Sequence, residues 1–237
     1  MPSAVDAVAA SAPPRFVRQW METLQTMAFH EAAPDPAAAA IFSTDMIAAF
    51  LTLGALSSER VGALATPVAT LFQQAHEYGV RHFVLLQDTH HPETPEFDAW
   101  PPHAIQGTAE AETIPELKRL PFAASFEIFE KNSLHPALGT GFDAWLDRHA
   151  AVQTAIVVGN CTDLCVYHLA MHLRLRANAH HHAAMRVILP ANGVDTYDLG
   201  AAAAKSGAMA HPGDFFHQVF LYHLALNGIE VVRKLTP

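Results

Sequence analysis

Short apolar runs alternate along most of this chain with longer stretches of helical hydrophobic period, and this alternation restricts the fold more than any other feature. Strand-like runs cover Ala38–Thr44, His82–Gln87, Ser125–Glu130, Ala155–Gly159, Arg186–Pro190 and Glu230–Lys234. Helical patterns separate them at Glu59–Tyr78, where Ser57 and Ser58 supply caps, and at Gly141–His149, Asp163–Arg176, Asp198–Ser206 and Asp214–Asn227. Strands bridged by helices run parallel, and parallel sheets are covered on both faces. The expectation is an α/β fold, a three-layer α/β/α arrangement around a central, mostly parallel six-stranded sheet. Such a sheet binds ligands beyond the carboxyl ends of its strands.

Residues 1–37 stand outside the alternation. After an Ala/Ser/Pro-rich start, Phe16, Trp20, Leu24 and Met27 recur at helical spacing from Arg15 to about Phe29, and Pro34 and Pro36 end the pattern. One amphipathic helix is expected there, an extension packed on the domain of residues 38–237 or on a second subunit. No internal repeat or long linker divides that domain. With 237 residues, 51% of them hydrophobic, the chain has apolar surface for one sizeable core.

A net charge of −9 argues against nucleic acid or an anionic membrane as partner and leaves a small molecule as the expected one. Two cysteines four positions apart cannot build a disulfide framework, which fits a reducing, cytoplasmic setting. No secretory leader is visible, and no apolar stretch approaches the roughly 18 residues of a membrane span. Among sixteen histidines, the triplet His180, His181 and His182 falls between a helix pattern and a strand and reads as a solvated connector.

The carboxyl ends of the expected strands are rich in chemistry. They deliver Ser43-Thr44-Asp45, then Gln87-Asp88-Thr89-His90-His91, then Glu130-Lys131, then Asn160-Cys161-Thr162-Asp163-Leu164-Cys165. In the last of these an apolar strand enters a turn and sets Cys165 at the head of a helix, whose unpaired N–H groups and dipole favour an anionic sulfur. Alone, such a cysteine reads more readily as an inert core residue. Asp88 and His90, followed by Glu96 and His103, offer the mixed oxygen and nitrogen donors that Zn²⁺, Mn²⁺ or Fe²⁺ accept, although Asp-x-His by itself is weak. His91 competes with His90 in that reading, and Glu93 with Glu96.

Asp45-Met46-Ile47-Ala48-Ala49-Phe50, Trp100 to Thr108, Lys131 in Phe129-Glu130-Lys131-Asn132-Ser133, and Gly159 to Val166 together resemble the isochorismatase-like cysteine hydrolases, whose topology is Rossmann-like. Within that superfamily they are most similar to the nicotinamidase/pyrazinamidase enzymes. The resemblance spans roughly residues 38–234 and implies a catalytic set of Asp45, Lys131 and Cys165. Cys165 would attack a carboxamide carbon and form a thioester, Asp45 would take the thiol proton and return it to ammonia, and Lys131 would hold the charges together. It further implies a cis peptide at Asn160–Cys161 and an oxyanion hole made by the N–H groups of Cys161 and Cys165. Phe50, Trp100 and Asn160 would bind the substrate, the two aromatics sandwiching a flat ring. Asp88, His90, Glu96 and His103 would hold a divalent metal, zinc first and manganese or iron next, that positions the ring.

Under this resemblance the chain deamidates nicotinamide to nicotinate and ammonia and assembles as a homo-oligomer. The alternatives are hydrolysis of another small amide, such as a ureido or carbamoyl compound, and a catalytically idle binding module. Hydrolysis of a vinyl ether is less well supported, since enzymes of that kind usually do without the cysteine. Ile47 and Ala49 replace polar residues common in relatives and make the pocket floor more apolar. Cys161, where a small residue is usual, raises a Cys161–Cys165 disulfide as an off-switch, although the turn suits bonding geometry poorly. Lys131 and the helix start are expected to bring the Cys165 thiol below its free value of about 8.5.

Overall fold

The computed structural model describes residues 13–200 and 209–237. Its principal elements are α1 (Arg15–Thr23), β1 (Thr26–Ala28), β2 (Ala39–Thr44), α2 (Ala65–Tyr78), β3 (His82–Asp88), β4 (Glu127–Lys131), α3 (Phe142–Arg148), β5 (Thr154–Asn160), α4 (Cys165–Ala179), β6 (Arg186–Pro190), β7 (Val194–Asp195), α5 (Gly213–Leu226), β8 (Glu230–Val232) and β9 (Lys234–Thr236), with single helical turns between them. The main sheet has the order β4-β3-β2-β5-β6-β8, with β7 also paired to β5, and every pair is parallel. The fold class is the expected one, with seven strands in place of six. The added strand, β7, is two residues long and too short to leave a period in the sequence.

Side chains of the central strands alternate between two cores, as a sheet covered on both faces requires. Ile41 packs with Val68, Phe72 and Ala75 of α2 on one face. Ala40 and Phe42 pack with Trp145 of α3, Leu169 and Leu173 of α4 and Leu221 of α5 on the other. Burying a side chain such as Phe42 contributes roughly 1.5–3 kcal/mol, so β2, buried at all six positions, anchors both layers.

Several boundaries differ from the sequence reading. The pattern at Glu59–Tyr78 divides into a single turn, Glu59–Gly62, and α2, because Pro67 lacks an N–H and is tolerated only in the first turn of a helix. Ser58 sits at the cap of the short turn but makes no side-chain hydrogen bond to it. The last strand splits at Arg233, where the chain leaves β6 and joins β1. The expected helix at Asp198–Ser206 lies mostly outside the described residues, and within them Leu199 forms an antiparallel bridge with His211.

The N-terminal helix stops at Thr23, short of Phe29, because the following residues pair with β9. Arg233 secures the exit: its N–H donates to Gln25 O, its Nε to Leu24 O and its terminal nitrogen to Glu22 O. Phe16 and Trp20 set their rings edge-on to Tyr222 of α5 at 5.5 and 5.2 Å, so α1 packs on its own chain. The His180–His182 triplet is exposed beyond the end of α4. No helix among the described residues is long and apolar enough to cross a membrane.

Candidate active site

At the end of β2 the backbone of Asp45 turns into the left-handed region, at φ 53°. That conformation is uncommon for a residue other than glycine and persists where the surroundings determine it. Here the Asp45 N–H donates to Leu86 O, Asn160 Nδ2 donates to its carbonyl at 2.6 Å, and Oδ1 accepts the Asp88 N–H at 2.7 Å. Thr44 Oγ1 donates to Oδ2 at 2.9 Å, so Asp45 is held from three strands and its carboxylate aimed from two of them. Gly159 makes the close approach possible, since a Cβ there would lie 2.0 Å from Thr44 O.

Lys131 ends β4 with its side chain fully buried, and its Nζ lies 2.9 Å from Asp45 Oδ2, 2.5 Å from Asp88 Oδ1 and 3.5 Å from Cys165 Sγ. Asp45, Asp88 and Cys165 bring one oxygen or sulfur each within 4.8 Å of the others. That donor group already surrounds an ammonium, which makes it a charge cluster and not a second metal site.

Burial, and then Asp88, raises Asp45 above the ordinary carboxylate value against the pull of Lys131. Burial works against the charge of Lys131, but Asp45, Asp88 and Cys165 outweigh it and hold the amine well above its usual value. The expectation for Cys165 is reversed. Burial and Asp45 push its thiol well above the ordinary value, with Lys131 opposing, because one ammonium faces two carboxylates and a thiolate would add a third negative charge. That direction favours the thiol over the thiolate at Cys165, with the Asp45 carboxyl within reach as a proton acceptor. Cys161 is likewise pushed up to about 12, chiefly by burial, and both cysteines are free thiols.

Asp88, His90 and His103 bring one donor atom each within 4.8 Å of the others. His90 Nδ1 faces Asn132 Oδ1 at 3.2 Å and His103 Nδ1 faces Pro101 O at 2.9 Å, both of which can only accept. Each ring therefore carries its proton on Nδ1 and turns the Nε2 lone pair toward Asp88. His90 Nε2 lies 3.5 Å from Asp88 Oδ1 and 3.7 Å from Glu96 Oε1, and His103 Nε2 lies 4.0 Å from Asp88 Oδ2. Asp88 Oδ2 and His90 Nε2 are buried without a hydrogen-bond partner. Buried donor atoms that converge on one point, two of them without a hydrogen-bond partner, suit a cation, so these residues fit a divalent metal. Glu96 stands at the rim of the group. His91 and Glu93 are exposed, and the converging group of Asp88, His90 and His103 includes neither.

Phe50 packs edge-on to His103 at 5.5 Å, and the half-buried Trp100 packs edge-on to Tyr197 at 6.2 Å. The peptide between Asn160 and Cys161 is cis. Cys165 is the first residue of α4, which begins two residues later than its period suggests because the Leu164 and Val166 N–H groups both return to Cys161 O. Among the described residues the N–H groups of Cys161 and Cys165 have no carbonyl partner. Asn160 is engaged internally, its Nδ2 with Asp45 and its Oδ1 with the Cys161 thiol.

Three contributors escaped the sequence reading. Asn132, directly after Lys131, holds both His90 Nδ1 and the His91 N–H. Phe97 sets its ring 5.5 and 5.6 Å from those of His90 and His103. In the cysteine turn, Asp163 Oδ2 accepts from His211 Nε2 at 2.8 Å, while the His211 ring lies stacked between Tyr197 and Phe216. Adjacency to Lys131 was the available signal for Asn132, whereas nothing local points from Asp163 to a histidine 48 positions away.

A parallel α/β sheet that gathers a buried cysteine, aspartate and lysine at the carboxyl ends of its strands defines a cysteine hydrolase. The isochorismatase domain family matches residues 39–214, and the chain belongs to that family. It is 31% identical over 209 residues to Nicotinamidase 1 of Arabidopsis thaliana, covering 81% of this chain and 84% of that protein. Its fold is shared by the pyrazinamidase of Pyrococcus horikoshii solved in complex with zinc, at TM-score 0.64 and 21% identity over 83% of this chain and 99% of that one. The N-carbamoylsarcosine amidase of Thermoplasma acidophilum aligns at TM-score 0.63 and 23% identity, over 82% and 95% of the two chains.

Proposed function

We propose that this protein is a nicotinamidase that releases nicotinate and ammonia from nicotinamide through a thioester on Cys165. The observation that carries the reading is the adjacency, through Asp88, of the Asp45–Lys131–Cys165 cluster to the Asp88–His90–His103 group. One carboxylate oxygen contacts Lys131 while the other lies free toward His103. The 31% identity to a plant nicotinamidase supports the same substrate.

In this scheme the Cys165 Sγ–H bond breaks as sulfur bonds to the amide carbon, and Asp45 receives the proton. The N–H groups of Cys161 and Cys165 receive the carbonyl oxygen as it becomes an oxyanion. Asp45 then passes its proton to the departing nitrogen, ammonia leaves, and water cleaves the thioester to give nicotinate and the free thiol. Lys131 stays charged throughout and keeps Asp45 competent as a base. Phe50 and Trp100 flank the ring. Asp88, His90 and His103, with Glu96 at the rim, would hold a divalent metal, which when bound supplies a Lewis-acidic anchor for the pyridine ring.

Ammonia release from a panel of small amides, with and without chelator, tests the proposal. Rapid release from nicotinamide, slowed by chelator chiefly through a higher KM, is expected. Preferred release from a ureido or carbamoyl compound would transfer the activity to that substrate class. The Cys165→Ala variant should bind nicotinamide and not turn it over, and turnover by it at the wild-type rate would refute covalent catalysis.

A further inference from the structure

The amino ends of the strands, opposite the catalytic rim, carry a second group of metal-type donors. His82 opens β3, Glu127 opens the neighbouring edge strand β4, and His149 follows the last residue of α3. One donor atom from each lies within 4.8 Å of the others. His82 is separated from Asp88 by the length of β3, roughly 20 Å at about 3.3 Å per residue, so the two groups are independent.

The arrangement is built. His149 Nδ1 donates to Trp145 O at 2.9 Å, and the imidazole lies stacked on the Trp145 indole at 4.0 Å with the planes 18° apart. Its Nε2 is thereby left as a lone pair. The His82 ring stands edge-on to the same indole at 5.8 Å and to the His149 ring at 5.1 Å. Trp145, fully buried, thus orients both imidazoles. Among the described residues neither the His82 ring nor the Glu127 carboxylate makes a hydrogen bond, whereas the comparable surface pair His172 and Asp143 closes to 2.8 Å. A carboxylate and two imidazoles kept close yet unjoined enclose the space of an ion. Two nitrogens and one oxygen at bond lengths of about 2.0–2.2 Å suit zinc and its neighbours in the transition series and disfavour Mg²⁺ and Ca²⁺. Side-chain adjustment of roughly 1 Å closes the shell.

We propose that His82, Glu127 and His149 bind a zinc-class divalent cation, with the fourth position taken by water, and that the ion clamps the edge strand β4 to β3 and to the end of α3. The site plays no part in the amide chemistry.

The test counts metal in untagged protein that has been stripped and then titrated with Zn²⁺ and, separately, Co²⁺. Wild type should bind one equivalent more than the H82A/H149A double variant. The wild-type-minus-variant Co²⁺ spectrum should show the visible bands of a four-coordinate ion. Ammonia release should be unchanged in the variant, which also reports that it has folded. E127Q, isosteric and at an exposed position, should weaken the same equivalent by more than about tenfold, the loss that even an outer-shell partner produces. Equal stoichiometry in wild type and the double variant, or undiminished affinity in E127Q, would overturn the proposal.

Discussion

Asp88 couples the two halves of the site, because one of its oxygens is committed to Lys131 and the other is left over. Removing the ammonium exposes what that arrangement requires. Lys131→Met should lower stability by about 3–5 kcal/mol in urea unfolding, since two buried carboxylates lose their counter-charge, and turnover should vanish with it. The thiol gives a second prediction. Alkylation of Cys165 by iodoacetamide in chelator-treated protein should accelerate only above the ordinary thiol range, because burial and Asp45 raise its pKa, and a rate already at its plateau at pH 7 would contradict that direction. At this scale the sequence was legible where chemistry sits at strand ends: Asp45, Asp88, His90, Lys131 and Cys165 all fall there. It erred in direction on the Cys165 thiol, because the number of carboxylates facing a sulfur depends on how β2, β3 and β4 are ordered in the sheet, which no local pattern encodes.

Elements were legible where hydrophobic period and burial agree, as at β6, and less so where the backbone changes partner. Pro67 carried a visible signal for the start of α2, but the exchange of β6 for β1 at Arg233 did not, since Glu230–Lys234 reads as one strand. Gly159 is where elements meet most tightly. Gly159→Ala should cost at least about 3 kcal/mol and depress soluble expression, since φ is 115° and the added carbon would strike the backbone of β2. The cysteine turn depends on a longer reach. His211→Leu leaves the buried Asp163 without its partner and should destabilise by about 1–3 kcal/mol in chemical denaturation. If His211 positions the turn, kcat should fall while KM for nicotinamide holds, and His211→Asn should recover part of the rate.

For the molecule as a whole, histidine burial sets an acid limit. His82, His103, His135, His168 and His217 all have pKa values lowered, first by burial, while His90 alone is raised. A histidine whose folded value lies below its unfolded value binds fewer protons in the native state. Its stabilising contribution is complete above the unfolded value of about 6.5 and is lost as pH falls through the folded value. Thermal melts should therefore show Tm declining from pH 7.5 to pH 6, with a shallower slope in His168→Gln, and a flat profile would contradict the shifts. The layered architecture was readable from the alternation alone, because strand and helix periods are local, whereas the catalytic set at its rim came only with the family resemblance. The pairing of β1 with β9 was not, for it joins Thr26 to Lys234 across more than two hundred residues. That pairing also orders events in time. A ribosome must release nearly the whole length between those strands before the small sheet can zip, so α1 waits, made early and docked late. Contacts of such separation raise contact order and slow folding, and deleting β9 should leave α1 open to protease while the seven-stranded sheet still forms.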